Sequence, residues 1–190
     1  MGSEPQPTLL MDPALLEDWF NEFDPADHLL PIVSRDEFES LRSWDFGWLI
    51  LKGISIAEDE DEEVALAKRF SPAQKALYFF WYLDGQVVNG GFMQFFLNGY
   101  LIYSQSILTG LELVGDPTSA KILQDALDDC WKHKGEFELV AAGKEEWSWL
   151  RERLPEMGRL DDAYLEHHDR AMALFELYIR SHPEKFVCIQ

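Results

Sequence analysis

Basic residues are scarce in this chain. Its 190 residues include 16 Lys and Arg against 35 Asp and Glu, a formal net charge of −19. That scarcity argues against general binding to nucleic acid, because neutralising phosphates needs clustered Lys and Arg. It also disfavours attraction to an anionic membrane surface. Cysteine is nearly absent: Cys130 and Cys188 are too few for a disulfide scaffold and are expected as free thiols in a reducing compartment. The longest strongly apolar stretches, residues 46–51 and 76–83, fall well short of the roughly 20 residues that span a bilayer. No cationic segment followed by an apolar core opens the sequence, so no signal peptide is expected and the protein is read as soluble and cytoplasmic. Gly-x-Ser-x-Gly and His-Glu-x-x-His signatures are missing, as are internal repeats and runs of alternating β-branched residues.

What is present is apolar and acidic. Hydrophobic residues make up 47% and aromatics 14%, enough to build a core and too much for a disordered acidic chain. The charge is uneven. Residues 1–66 carry 17 acids and 3 bases, a net of −14, while residues 67–190 carry 18 acids and 13 bases, a net of −5. The expected organisation is an acidic N-terminal region, 1–66, joined to a helical core domain, 67–190, the two forming one structural unit.

Helix signals dominate. Asp12-Pro13 reads as a cap opening a helix to about Phe23. Ser34 with Glu37 is a capping box. Phe38, Leu41, Asp45, Trp48 and Lys52 then fall in one helical row, with a strand over residues 48–51 left open and Gly53 ending either element. Ser71-Pro72 with Gln74 caps a central aromatic helix over residues 72–88, apolar on all sides and therefore covered by neighbours. Tyr100, Tyr103, Ile107, Leu111 and Val114 form one face, stopped by Gly115. Asp116-Pro117 starts the next helix, with Ala120, Leu123, Leu127 and Cys130 inward. A shorter helix fits residues 144–154, ended by Pro155. The last begins near Asp161 or Asp162, buries Leu165, His168, Met172, Phe175 and Ile179, and closes before Pro183. The expected fold is all-α, a compact bundle of seven to nine helices.

Three groups carry candidate chemistry. Glu58, Asp59, Glu60, Asp61, Glu62 and Glu63 are consecutive carboxylates. Such a run is either a solvated segment or a contact surface. Duplex DNA carries one charge per about 1.7 Å of axis and about 3.4 Å along each strand. Residues advance about 1.5 Å in a helix and about 3.3 Å when extended, so the run matches either spacing. Asp36, Glu37, Glu39 and Asp45 extend the same field. The second group is Asn89, Gly90, Gly91, Phe92, Gln94, Phe95, Phe96 and Asn98. Its glycines offer a stop with positive φ, its phenylalanines bury, and its amides need partners when buried, or else line a pocket. The third is His167-His168 among Asp162, Glu166, Asp169 and Arg170. Adjacent histidines on a helix diverge by about 100°, so His168 is read as a core histidine and no metal or other cofactor is expected.

The second group also carries a family resemblance. Ser71-Pro72-Ala73-Gln74, Ala76-Leu77-Tyr78, Asn89-Gly90-Gly91-Phe92, Gln94-Phe95-Phe96 and Asn98 resemble the neisserial DNA-mimic protein family. The likeness runs on through Leu111-Glu112-Leu113-Val114-Gly115 to Phe186. Gln86 stands where that family commonly has Glu, and Val88 where it often has a second Asn. The resemblance implies an all-α fold, often dimeric, without known enzymatic chemistry. Its namesake imitates DNA charge on the DNA-binding face of a transcription factor. The function expected here is an acidic, non-enzymatic regulator that binds a basic DNA-binding protein in competition with DNA. The contacts expected are the acidic run and Asp36, Glu37, Glu39 and Asp45, with the Asn-Gly-Gly-Phe group structural. Neutralisation of a basic toxin or effector is the alternative, and an enzyme with a carboxylate and amide cleft is a third.

Overall fold

The computed structural model describes residues 22–54 and 60–190. Among these residues nine α-helices form: α1 (Arg35–Ser40), α2 (Ser43–Leu51), α3 (Glu60–Ala67), α4 (Pro72–Leu97), α5 (Ser104–Val114), α6 (Pro117–Lys132), α7 (Lys134–Ala141), α8 (Trp147–Arg153) and α9 (Pro155–Ser181). The sheet content among them is one parallel pair of two-residue strands, β1 (Ile32–Val33) with β2 (Cys188–Ile189). The fold is all-α, as the sequence predicts. The helix expected from Pro13 to about Phe23 lies almost wholly outside the described residues.

Helix α4 is the centre. Ser71 Oγ accepts the Gln74 N–H at 3.1 Å while Gln74 Oε1 accepts the Ser71 N–H at 2.9 Å, and Pro72 occupies the first helical position. Every side chain from Ala73 to Phe80 is buried. The capping glutamine does more than cap. Its Nε2 donates to the Leu29 carbonyl at 2.8 Å and to the Phe186 carbonyl at 3.1 Å. Segments from both ends of the described chain are thereby tied to the start of α4, and the β1–β2 pair extends that tie through Val33 opposite Ile189.

Helix α9 runs antiparallel along α4. Phe80 stacks on Phe175 at 4.3 Å, Tyr164 donates to Asp84 Oδ1 at 2.9 Å, and Asp161 accepts the Phe92 N–H at 2.7 Å. The row expected from Tyr100 to Val114 divides between a 3-10 turn, Tyr100–Tyr103, in which Tyr100 is half-buried and Tyr103 buried, and α5, which covers another side of α4 with buried Ile107, Leu111 and Val114. Helix α6 lays Leu123, Leu127 and Cys130 inward against α5 and α9. Helix α7 presses Phe137 edge-on against Phe96.

Several boundaries differ from the sequence reading. The row from Phe38 to Lys52 is not one element: α1 ends at Ser40 and α2 starts at Ser43, and residues 48–51 are helical rather than a strand. The cause is tertiary. The Arg180 guanidinium takes the Phe38 and Leu41 carbonyls, ending α1, and Glu176 Oε2 accepts the Ser43 N–H at 2.8 Å, starting α2. Helix α4 continues past Val88 to Leu97 through a kink at Gly90 and Gly91. Helix α7 has no counterpart among the expected elements, and α8 is shorter than the segment 144–154. Pro155 both follows the end of α8 and opens α9, six residues before Asp161, because proline suits a first helical turn as well as a stop. Leu165 is 48% exposed, and Tyr164 takes the buried place because its hydroxyl finds Asp84 within the core.

Phe95 lies in this core with no exposed surface. Replacing it with Ala should cost about 3–5 kcal/mol through lost burial and the cavity left behind. Chemical denaturation of the two proteins, compared at equal slope, measures the loss.

Candidate functional site

The acidic face begins at the start of α1. Asp36 and Glu37 sit in its first turn, where negative charge offsets the partial positive charge of unpaired backbone N–H groups. Asp36, Glu37, Glu39 and Asp45 are all exposed. The Ser34 hydroxyl donates to Glu37 Oε2 at 2.7 Å, and this bond, helped by the Lys52 ammonium at 3.8 Å, holds the Glu37 carboxyl below its ordinary pKa. Arg35 lies 3.6 Å from Glu39, and Arg42 lies 3.7 Å from Glu176. Each of the three bases in residues 1–66 is thus already engaged by a carboxylate of the chain. Asp36 and Asp45 make no ion pair among the described residues. Of the consecutive acids, Glu58 and Asp59 lie outside the described residues, Glu60, Asp61, Glu62 and Glu63 form the first turn of α3, and Glu62 is exposed.

The Asn-Gly-Gly-Phe group forms a kink and one wall of a groove. Gly90 has φ −153° and Gly91 has φ +80°, so the helical ladder is interrupted and restarts at Phe92. The restarted turn is capped from another helix: Asp161 Oδ1 of α9 takes the Phe92 N–H. A Cβ at Gly91 would lie 2.3 Å from Asp161 Oδ2, and its positive φ disfavours any side chain, so glycine is required on two counts. Phe92, Phe95 and Phe96 are buried as expected. The amides are not. Asn89 and Asn98 are exposed and Gln94 is half-buried. Gln86 Oε1 accepts from Gln94 Nε2 at 3.0 Å and from Asn98 Nδ2 at 2.7 Å, so side chain rather than backbone satisfies them. Their spacing along α4 keeps them beside water, where no buried partner is needed.

The groove at the kink encloses about 430 Å³ between α4 and the start of α9. Asn89, Asp161, Arg151 and Leu165 are among its walls, while Gln94 and Asn98 are not. Burial raises the Asp161 pKa, opposed by the Phe92 N–H and the Arg151 charge. With one oxygen committed to a backbone N–H, Asp161 acts as a helix cap.

Two buried carboxylates were not legible as a site. Asp84 accepts the Tyr164 hydroxyl and lies 3.0 Å from His168 Nε2, and burial raises its pKa against the pull of His168. Asp116 caps Ser119 at 3.1 Å and lies 2.9 Å from His167 Nε2. The adjacent histidines therefore turn to different aspartates, as their divergence on a helix requires. Among the described residues no three His, Cys, Asp or Glu side chains are grouped to hold a metal ion. No described helix is long and apolar enough to cross a membrane.

Gly91→Ala should destabilise the protein by at least about 1 kcal/mol, more than Gly→Ala at an unstrained site, and differential scanning calorimetry would read it. Asp161 supplies a pH signature. Its folded pKa lies above the unfolded one, so its protonated form is favoured by folding. Its contribution is fully present below the unfolded carboxylate pKa and is lost as pH rises through the folded pKa. Wild type should therefore gain on Asp161→Asn as pH falls from about 7 toward about 4, in parallel thermal melts.

Residues 68–182 match the family described as DMP19-like protein. The chain is also 30% identical over 135 residues to DNA mimic protein DMP19 of Neisseria meningitidis serogroup B, covering 70% of this chain and 80% of that relative. The span 68–182 contains the capping box of α4, the glycine kink and the α9 aspartate that closes on it. The chain belongs to the DMP19-like family.

Proposed function

We propose that this protein is a cytoplasmic acidic DNA mimic that acts by binding rather than catalysis, occupying the DNA-binding surface of a basic protein in competition with DNA. The observation that carries this reading is the net −14 of residues 1–66, whose three bases are each held by a carboxylate of the same chain. That net already counts the three bases; from beyond residue 66, Lys68 pairs with Glu22 and Arg69 with Asp27. The relative's name, DNA mimic protein, points the same way. Glu58, Asp59, Glu60, Asp61, Glu62 and Glu63 are the proposed principal contacts, with Asp36, Glu37, Glu39 and Asp45 beside them.

Physically, an array of carboxylates attracts a patch built to hold phosphates, speeds encounter and sets orientation. Because screening acts over about 8 Å at physiological ionic strength, the association should weaken steeply as salt rises. Replacing the six acids from Glu58 to Glu63 by Gln or Asn should leave the melting temperature unchanged or slightly raised, since self-repulsion falls. The same variant should lose most of its ability to displace DNA from the captured basic protein, measured by fluorescence anisotropy of labelled DNA. Full displacement by the charge-stripped variant, or displacement indifferent to salt, contradicts the reading.

A further inference from the structure

Helix α2 presents aromatic surface where a soluble helix normally presents charge. Trp44 is 43% exposed and Trp48 is 49% exposed. Trp44 stacks on Trp81 of α4 with ring centroids 3.9 Å apart. The stack is held in place from below. A Cβ at Gly47 would meet the Trp81 ring at 2.5 Å, so α2 approaches α4 more closely than any other residue at that position permits. Trp48 lies one turn from Trp44, four residues before it, and from Asp45, three residues before it, so it neighbours both, while Trp44 and Asp45, adjacent in sequence, point about 100° apart on either side of it. Asp45 is exposed and makes no ion pair among the described residues, while the flanking cations are turned elsewhere, Arg42 to Glu176 and Lys52 to Glu37.

Indole faces beside an uncompensated carboxylate suit one kind of side chain. A guanidinium is planar, stacks on aromatic rings, is weakly hydrated and pairs with carboxylate; an ammonium is a compact, strongly hydrated point charge that does the first poorly. Neutral apolar segments would leave Asp45 desolvated without a partner. We infer that Trp44, Trp48 and Asp45 form a guanidinium-binding cluster that anchors an arginine of the basic partner. This rests on the proposed function: the acidic run steers the partner, and the tryptophans set how long its arginine stays. It also sharpens, beyond what the carboxylates give, the discrimination between arginine-rich and lysine-rich partners of equal charge.

The probes are nona-arginine and nona-lysine peptides, titrated at several salt concentrations and read by calorimetry. The proteins are wild type, Trp48→Ala, Trp48→Leu, which keeps apolar bulk without a π face, and Trp44→Ala, each checked by circular dichroism and melting. Wild type should prefer nona-arginine over nona-lysine. Each tryptophan variant should lose about two- to fivefold of that preference, with lysine affinity and the salt slope unchanged. Carboxylates alone also favour arginine, so the informative quantity is the change in preference between wild type and variant. If the variants keep the full preference, or lose arginine and lysine binding equally, the cluster is not a guanidinium site, while the mimic reading stands because both peptides still bind the acids. If neither peptide binds wild type at low salt, the inference and the mimic reading fail together.

Discussion

The structure depends on one constraint: the first two turns of α4 have no side that water can reach. Side chains Ala73 to Phe80 are all buried, so every direction around that helix needs a protein partner, apolar for most and polar for Gln74 and Lys75. Helix α5 supplies one face with Ile107 and Leu111, and α9 supplies another with Phe175 and Met172. The helix start is equally enclosed, and its backbone N–H groups cannot fall back on water. That is why the capping residue Gln74 is itself fully buried and holds the Leu29 and Phe186 carbonyls as well as the Ser71 N–H. A side chain chosen for a helix end thus becomes the knot between the beginning and the end of the described fold.

Helix α9 solves the corresponding problem elsewhere. Glu176 and Arg180, one turn apart, meet both broken ends between α1 and α2, and Glu176 is held below its ordinary pKa by the Ser43 N–H and the Arg180 and Arg42 guanidinium groups, in spite of partial burial. Asp161, four turns earlier on the same helix, caps the restart of α4 after the glycine kink. Helix α9 therefore fixes the orientation of α1 and α2, and with them the carboxylates of Asp36, Glu37, Glu39 and Asp45 and the exposed indoles of Trp44 and Trp48. In the proposed reading, the link from packing to function is preorganisation. A charged surface competes with DNA to the extent that its carboxylates are already where phosphates would be, and ordering them beforehand leaves less to be lost on binding.

The charge itself is divided by depth. Among the described residues most acids stand outside, and the chain's net of −19 raises self-repulsion while attracting positive charge. Asp84 and Asp116 are buried and are matched one to one with His168 and His167, the former also with the Tyr164 hydroxyl. These inner carboxylates connect α4 to α9 and the α6 start to α9. They belong to the scaffold.

Signals that act within one helical turn were legible in the sequence. Ser71 with Gln74, Asp116 before Pro117 and the apolar row that ends at Val114 each announce an element because caps and periodicity are local properties, whereas the glycine pair, read as a stop, proves a kink that α4 passes through. Charge asymmetry was legible for the same reason: it needs only counting. Tertiary structure decided whatever required a partner from far along the chain. Asp161 meets Phe92 across 69 residues, Tyr164 meets Asp84 across 80, and Glu176 and Arg180 meet Ser43 and Leu41 across 133 and 139. Without those partners the row from Phe38 to Lys52 reads as one continuous helix, and Pro155 reads as a stop alone. Leu165 likewise reads as core until Tyr164 is given Asp84 to bond. Local sequence specifies which segments become helices; where a buried N–H or carbonyl finds its complement is settled only when distant segments are packed together, because each unpaired group buried in that packing would cost about 1–3 kcal/mol.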